Sequence, residues 1–317
     1  MQNIYEAVAS NKRKSALILI VFLLFTTVVI YVLAQAFAVY MGYEPGGLGF
    51  VGIALIFSGL VSFSSYWYSD KIVLAISSAR PADRKKEFDF YTVAENLAIG
   101  TGLLKPKLYV IEDTAPNAFA TGRDPEHAVI CATTGLLQKL SRTELEGVIA
   151  HELSHIRNYD IRLMSIVAVL VGTVALMADW FLRISFRGGR RDDRDKSQLA
   201  ALFLLLGLIF AILSPLIAQL IQLAISRRRE FTADASAVGI TRQPSGLITA
   251  LEKIATDHEP LEAANKATAH LYIINPFKFD SKRAYPERSR RAVNWFSGLF
   301  NTHPPVEERI KVLQSMV

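Results

Sequence analysis

The run Ser141-Arg-Thr-Glu-Leu-Glu-Gly-Val-Ile-Ala-His151-Glu-Leu-Ser-His155 decides how this chain reads. Ser141 followed by Glu144 has the form of a capping box, which marks a helix start. Leu145, Val148, Ile149, Leu153 and Ile156 then recur at near-helical spacing, as on a helix with a buried face. His151 and His155 stand four apart, so both imidazoles leave the same side of that helix, one turn apart. That spacing suits two corners of a zinc tetrahedron, and Glu152, one step round, falls beside the open corner where water would sit. The pattern is H-E-x-x-H. Two solvated histidines would be the plainer reading, but a buried helix cannot leave neutral imidazoles without partners.

A catalytic zinc takes three protein ligands and keeps one position open. After His155 the chain reads Ile-Arg-Asn-Tyr-Asp160, so no third histidine follows at the spacing of the longer H-E-x-x-H-x-x-G-x-x-H motif. Cys131 can ligate a metal, yet no partner motif surrounds it. Glu230, in Ser226-Arg-Arg-Arg-Glu-Phe-Thr-Ala-Asp234, is the better candidate. Asp234 lies one helical turn on and is placed to accept a hydrogen bond from the far ring nitrogen of a ligand histidine. An ordinary charged cluster at a membrane interface is the competing reading of Arg227–Glu230, and spacing alone does not separate the two.

Of 317 residues, 51% are hydrophobic and 20% charged, a composition too apolar for a disordered chain. A single cysteine excludes an intramolecular disulfide and a cysteine-built zinc cage. The net charge of +6 raises nucleic acid or an anionic membrane as partners. Its placement favours the membrane. Three blocks carry no charge, Ser15–Tyr40, Gly46–Ser69 and Ser197–Ser226, and each exceeds the roughly 20 residues that cross a hydrocarbon core. A fourth, Leu163–Ala178, is shorter and reads either as a span or as a buried core helix. Ser15–Tyr40 is too long for the apolar part of a cleaved signal, so an uncleaved anchor is expected. Lys12-Arg-Lys14 precede it, only Glu44 lies in the following loop, and Lys71, Arg80, Arg84, Lys85 and Lys86 follow the second block. The N-terminus and everything after residue 71 should therefore face the cytoplasm. The loop Arg183–Lys196 is basic, against that rule if both later blocks cross, so the later pair is either two spans or a hairpin. Either way the number of crossings is even, and His151, His155 and Glu230 can meet on one face.

Between these blocks the pattern becomes that of a soluble domain. Phe90–Gly102 reads as a helix, and Lys107–Glu112, Asn117–Gly122 and His127–Ala132 read as strands. Cys131 reads as a buried strand thiol. Asp257–Ser297, with Pro260, Pro276 and Pro286, reads as irregular and mobile.

Several segments carry a resemblance. They are Pro116-Asn-Ala-Phe-Ala-Thr-Gly122, Thr134-Gly-Leu-Leu137 through His155, Arg228-Arg-Glu-Phe-Thr-Ala-Asp234, Asn275-Pro276 and Thr302-His-Pro-Pro-Val-Glu-Glu-Arg309. Together with the two N-terminal spans they resemble the HtpX-type membrane metallopeptidases, relatives of the CAAX prenyl endopeptidases. The resemblance implies that His151, His155 and Glu230 hold one zinc ion, that Glu152 is the general base and that Asp234 supports a ligand histidine. It implies that Asn117, Ala118, Phe119 and Ala120 form the cleft strand that pairs with the substrate backbone, and that His303 faces the reacting carbonyl. It also implies a multi-pass protein of a bacterial inner membrane that cleaves damaged or misassembled membrane proteins at the cytoplasmic face.

The expected architecture is an integral membrane α-helical protein with a mainly α, zincin-like α+β catalytic domain and a small β-sheet. Residues 1–71 form an anchor with helices at about 15–40 and 47–69. Residues 72–160 and 227–317 form the two catalytic halves, and 161–226 the further membrane helices or hairpin. Two alternatives remain: a processing endopeptidase of prenylated or membrane peptides, and a non-catalytic scaffold stabilised by zinc. The scaffold would have no use for a base beside a closed site. The expected partners are protein or peptide substrates and the lipid bilayer, with no nucleic acid.

Overall fold

The structure is a computed structural model that describes residues 4–40, 49–173, 227–264, 268–274, 276 and 304–316. The block Ser197–Ser226, the basic loop 183–196, Asn275 and His303 lie outside the described residues.

The helix that carries the histidines, Arg142–Arg157, starts where the capping box places it. Ser141 Oγ accepts from the Glu144 N–H, and the Glu144 carboxylate accepts from the Ser141 N–H at 2.7 Å. The helix is buried along almost its whole length, from Glu144 to Ile156. In chain order the elements before it are α1 (Ile4–Tyr40), α2 (Gly49–Trp67), α3 (Ser69–Ile76), β1 (Arg80–Pro81), α4 (Phe88–Thr101), β2 (Lys107–Ile111), β3 (Ala118–Thr121), β4 (Val129–Thr133) and α5 (Thr134–Lys139). The capped helix is α6. Residues 160–173 are helical, and α7 (Arg227–Thr241), α8 (Pro244–Thr256) and α9 (Val306–Gln314) follow, with short 3-10 turns at Pro125–His127 and Ala269–Leu271.

The strands form one sheet in the order β1-β2-β4-β3, with β2 and β4 parallel and the outer pairs antiparallel. Strand alternation divides its two faces between two apolar layers. Val110, Ala118, Ala120, Ile130 and Ala132 meet Val148, Ile149, Leu153 and Ile156 of α6, with Leu247 and Leu251 of α8 behind them. Ile111, Phe119, Val129 and Cys131 face the other way, toward Leu163, Val167 and Leu170 and toward Ile18, Phe22 and Val29 of α1. Helix α6 lies close to α8 because both contribute a glycine. A Cβ at Gly147 would stand 2.7 Å from Leu247 N, and one at Gly246 2.7 Å from Thr143 O.

Helix α1 begins before the basic triplet and buries one stripe, Asn11, Ser15, Ile18, Phe22, Thr26 and Val29, while Leu17, Ile20, Leu24 and Val28 are exposed. Within it Val8–Val32 has a mean hydropathy of 2.7 and is the one described helix that alone is long and apolar enough to cross a membrane. The second block is not straight: Val51–Trp67 and Ser69–Ile76 meet at 72° and pass the same test only as a pair. Arg123 sits at the bend, its guanidinium 4.0 Å from the Trp67 ring centroid and donating to the Trp67 carbonyl at 3.1 Å. Thr27 and Ser58 hydroxyls join α1 to α2 at 2.6 Å.

Two expectations shift. The strand expected from His127 starts at Val129, because Asp124 caps a tight turn over Pro125–His127 and accepts from the His127 N–H at 2.9 Å. Of the stretch expected to be irregular, only 257–264, 268–274 and 276 are described, and Thr268 to Ile274 are buried. The apolar run Leu271-Tyr-Ile-Ile274 is held on β3: the Ile273 N–H donates to Ala118 O at 3.0 Å, and the Tyr272 and Phe119 rings meet edge to face at 5.0 Å.

Candidate active site

Helix α6 places His151, Glu152 and His155 in the interior, each at most 5% exposed. The imidazoles meet edge to face with centroids 4.7 Å apart and Nε2 atoms 3.1 Å apart. Helix α7 crosses α6 and brings Glu230 to them, Oε2 at 3.7 Å from His151 Nε2 and Oε1 at 3.5 Å from His155 Nε2. Among the described residues, His151, His155 and Glu230 are the one group of three whose ligand atoms lie together, all within 4.8 Å. Cys131 is not in it. It lies on the sheet face turned toward Leu163 and Val167, and burial pushes its thiol pKa well up.

The far nitrogen of each histidine is held by a carboxylate. His151 Nδ1 lies 2.8 Å from Asp234 Oδ1, and His155 Nδ1 3.0 Å from Asp160 Oδ2. With Nδ1–H donating in both rings, the facing Nε2 atoms need a proton or a metal ion between them. Burial would lower the His155 pKa, but the Asp160 hydrogen bond and the Glu230, Asp160 and Glu152 charges raise it to about 9, so a proton fills that place where no metal does. Four acids, Glu152, Asp160, Glu230 and Asp234, surround this point, with Arg309 and Arg229 as the nearby cations. A His₂Glu donor set with supported rings suits zinc.

Asp234 is itself clamped. Arg309, fully buried on α9, donates from Nε to Oδ2 at 2.8 Å and from Nη2 to Oδ1 at 2.7 Å. Nη2 also lies 3.4 Å from His151 Nδ1, a contact between two donors that share the same Asp234 oxygen. Burial would raise the Asp234 carboxyl, but the Arg309 charge and its hydrogen bonds outweigh it and hold the pKa down to about 2. The Glu152 carboxyl goes the other way. Burial, with the Glu230 charge adding to it, overcomes the opposing pull of His155 and the Ala120 N–H and raises its pKa to about 7.

The sheet edge adjoins the site at Ala120, whose backbone N–H donates to the Glu152 carboxylate. Asn117, Ala118, Phe119 and Ala120 are all buried. The Asn117 side chain receives the Ala118 N–H at 3.1 Å and donates to Ile274 O at 3.0 Å, and Arg309 Nη1 donates to Ile273 O at 3.0 Å. The outer edge of β3 at Ala118 is thus taken by residues 273–274 of the same chain. Phe119 points to the opposite sheet face, away from Glu152.

The structure brings together five residues that the sequence marks, His151, Glu152, His155, Glu230 and Asp234. Asp160 and Arg309 join them without a role assigned from the sequence. Asp160 had a local signal, an acid just past the end of the histidine helix. Arg309 had none beyond its place in the Thr302–Arg309 segment, because its partners are distant in sequence.

The model of peptidase family M48 matches residues 84–317. A protease HtpX homolog from Caldanaerobacter subterraneus subsp. tengcongensis is 43% identical over 317 residues, covering 99% of this chain and 98% of its own length. Another from Thermoanaerobacter pseudethanolicus is 44% identical over 319 residues, with 99% and 98% covered. One from Streptococcus uberis is 40% identical over 316 residues, with 99% and 100% covered. Among solved structures, Ste24p of S. mikatae aligns with a TM-score of 0.43 at 18% identity, over 83% of this chain and 58% of that chain.

Proposed function

This chain belongs to peptidase family M48 and is a metalloprotease acting on peptide or protein substrates, and we propose that it is a membrane-tethered zinc endopeptidase of the cytoplasmic face. The observation that carries the reading is the convergence of His151 Nε2, His155 Nε2 and the Glu230 carboxylate beside Glu152. We propose these three as the ligands of one zinc ion, which when bound supplies a water of lowered pKa and polarises the scissile carbonyl.

The chain's own groups do the rest. Asp234 and Asp160 hold the imidazoles at Nδ1, so the rings keep one tautomer and one direction. Glu152 takes a proton from the attacking water on its carboxylate and returns it to the nitrogen of the leaving amine. His303 is assigned to the reacting carbonyl on the Thr302–Arg309 resemblance. An extended substrate is proposed to lie along Asn117–Ala120, where backbone pairing gives affinity with little side-chain preference. Residues 273–274 already occupy the Ala118 end and the Ala120 N–H is engaged by Glu152, so the substrate is proposed to approach the strand at its Ala120 end, next to the base.

The tether rests on Val8–Val32 and on the exposed apolar side chains of α2, Ile56, Phe57, Leu60 and Phe63. The division proposed is an anchor of residues 1–71, catalytic halves 72–160 and 227–317, and a membrane pair or hairpin 161–226. Lys12-Arg-Lys14 places the catalytic side in the cytoplasm, which in a bacterium makes this an inner-membrane protein. A protease confined there is suited to damaged or misassembled membrane proteins, the substrate class proposed.

The test is zinc content and casein cleavage of the detergent-purified chain beside Glu152→Gln. One zinc per chain in both, with turnover down by about 10²–10⁴-fold in the variant, is expected. Zinc in neither protein would overturn the reading.

A further inference from the structure

Asp160 holds His155 with one oxygen, and its other oxygen is bound by two groups. Asn11 Nδ2 donates to Oδ1 at 2.7 Å and Arg229 Nη1 at 3.2 Å. Asn11 is far away in sequence, on α1, immediately before the basic triplet and the apolar span. It is 3% exposed. Its amide is fully engaged: Nδ2 also donates to Asn158 O at 2.9 Å, and Oδ1 accepts from Arg229 Nη1 at 3.2 Å. The next residue adds a contact, Lys12 Nζ lying 4.4 Å from the Tyr159 ring centroid. Asn158 and Tyr159 form the turn that returns the chain from α6 to Asp160, and Tyr159 takes the left-handed φ of 59° to do so. The cytoplasmic end of the anchor helix therefore grips the turn that presents Asp160 to His155.

We propose that Asn11 is a positioning residue of the metal site, so that docking of the anchor helix and metal binding are coupled through Asp160 and His155. This rests on the reading of His151, His155 and Glu230 as zinc ligands. A carboxylate bound at both oxygens cannot turn, and the imidazole it holds keeps its Nε2 aimed at Glu230 and His151. Asparagine has the chemistry the place requires, two N–H donors for Asp160 and the Asn158 carbonyl and one acceptor for Arg229. Aspartate there would set a second carboxylate against Asp160 and leave the Asn158 carbonyl without its donor. A residue that merely fastened α1 to the domain would affect stability without affecting the metal.

The experiment uses the full-length chain in detergent, with zinc affinity read by competition against a chromophoric chelator. The visible absorption of the cobalt(II)-loaded chain reports ligand geometry. Asn11→Ala and the near-isosteric Asn11→Asp are compared with Thr27→Val, which removes a hydrogen bond between α1 and α2 and leaves the docking of Asn11 on Asp160 in place. Both Asn11 variants are expected to bind zinc about 10–100-fold more weakly, the loss typical of groups that support metal ligands, and to shift the cobalt bands. Thr27→Val should leave both readings at wild-type values. Wild-type affinity and spectrum in the Asn11 variants would overturn the proposal, as would an equal loss in Thr27→Val. His155→Ala is run alongside: if it binds zinc as the wild type does, the ligand reading itself has failed and the proposal with it.

Discussion

At the scale of single residues the metal site is built from charges that are costly to bury alone. Arg309 and Asp234 are both fully buried and joined by two hydrogen bonds. Removing the cation leaves an uncompensated carboxylate in the interior, so Arg309→Leu should lose about 3–5 kcal/mol of stability, read by denaturant unfolding of the metal-free chain. Arg309→Lys keeps the charge and loses the paired geometry, and should fall between the two. Glu230→Ala should lose both zinc and hydrolysis. Retained zinc with full turnover would remove Glu230 from the ligand set. The histidines and Glu152 were legible because their relation is local, two side chains one helical turn apart. Asp234 was legible from Glu230 for the same reason. Arg309 and Asn11 were not, since nothing in a sequence says which distant polar group will meet a buried carboxylate.

At the scale of elements α6 has to be both well capped and closely packed. Burial would raise the Glu144 carboxyl, but Lys253 at 2.8 Å and the Ser141 N–H and hydroxyl outweigh it and hold its pKa below the ordinary value. A carboxylate held low in the folded state stabilises that state above its unfolded pKa and stops doing so as pH falls through the lowered one. The stability gap between wild type and Glu144→Gln should therefore narrow as unfolding is followed from neutral pH into the acid range. Ser141→Ala removes the other half of the box and should cost about 1 kcal/mol. Gly147 lies one turn before His151, and its missing side chain admits the backbone of α8. Gly147→Ala should cost about 1–3 kcal/mol by overpacking, measured in the same assay, although alanine is the better helix former. The capping box and the three β-forming runs were plain in the sequence. The placing of Leu271–Ile274 along β3 was not, because its prolines and polar neighbours suggest a loop and its partner is a distant strand edge.

At the scale of the whole molecule the site limits the membrane arrangements that the proposed tether allows. His155 and Glu230 meet in one centre, so the chain between them crosses an even number of times, whether as two spans or none. Asn11 reaches the same centre from the start of α1, and Arg123 meets Trp67 at the end of α2. In the proposed membrane arrangement, both ends of the first helical pair lie on the catalytic side. The proposed orientation follows the charges of the sequence, Lys12-Arg-Lys14 and Lys71 before and after the pair and Glu44 alone between its apolar blocks. The orientation rests on the charge pattern and stays a proposal, whereas the docking of α1 against residues 163–171 depends on burial that an apolar run cannot reveal. Labelling with a membrane-impermeant maleimide tests the arrangement. The one native cysteine, Cys131, is 0% exposed and contributes little background in the folded chain. Glu44→Cys should label in intact cells, and Lys86→Cys only after the membrane is opened. Labelling of Lys86→Cys in intact cells would put the catalytic side outside, and with it every cytoplasmic substrate out of reach.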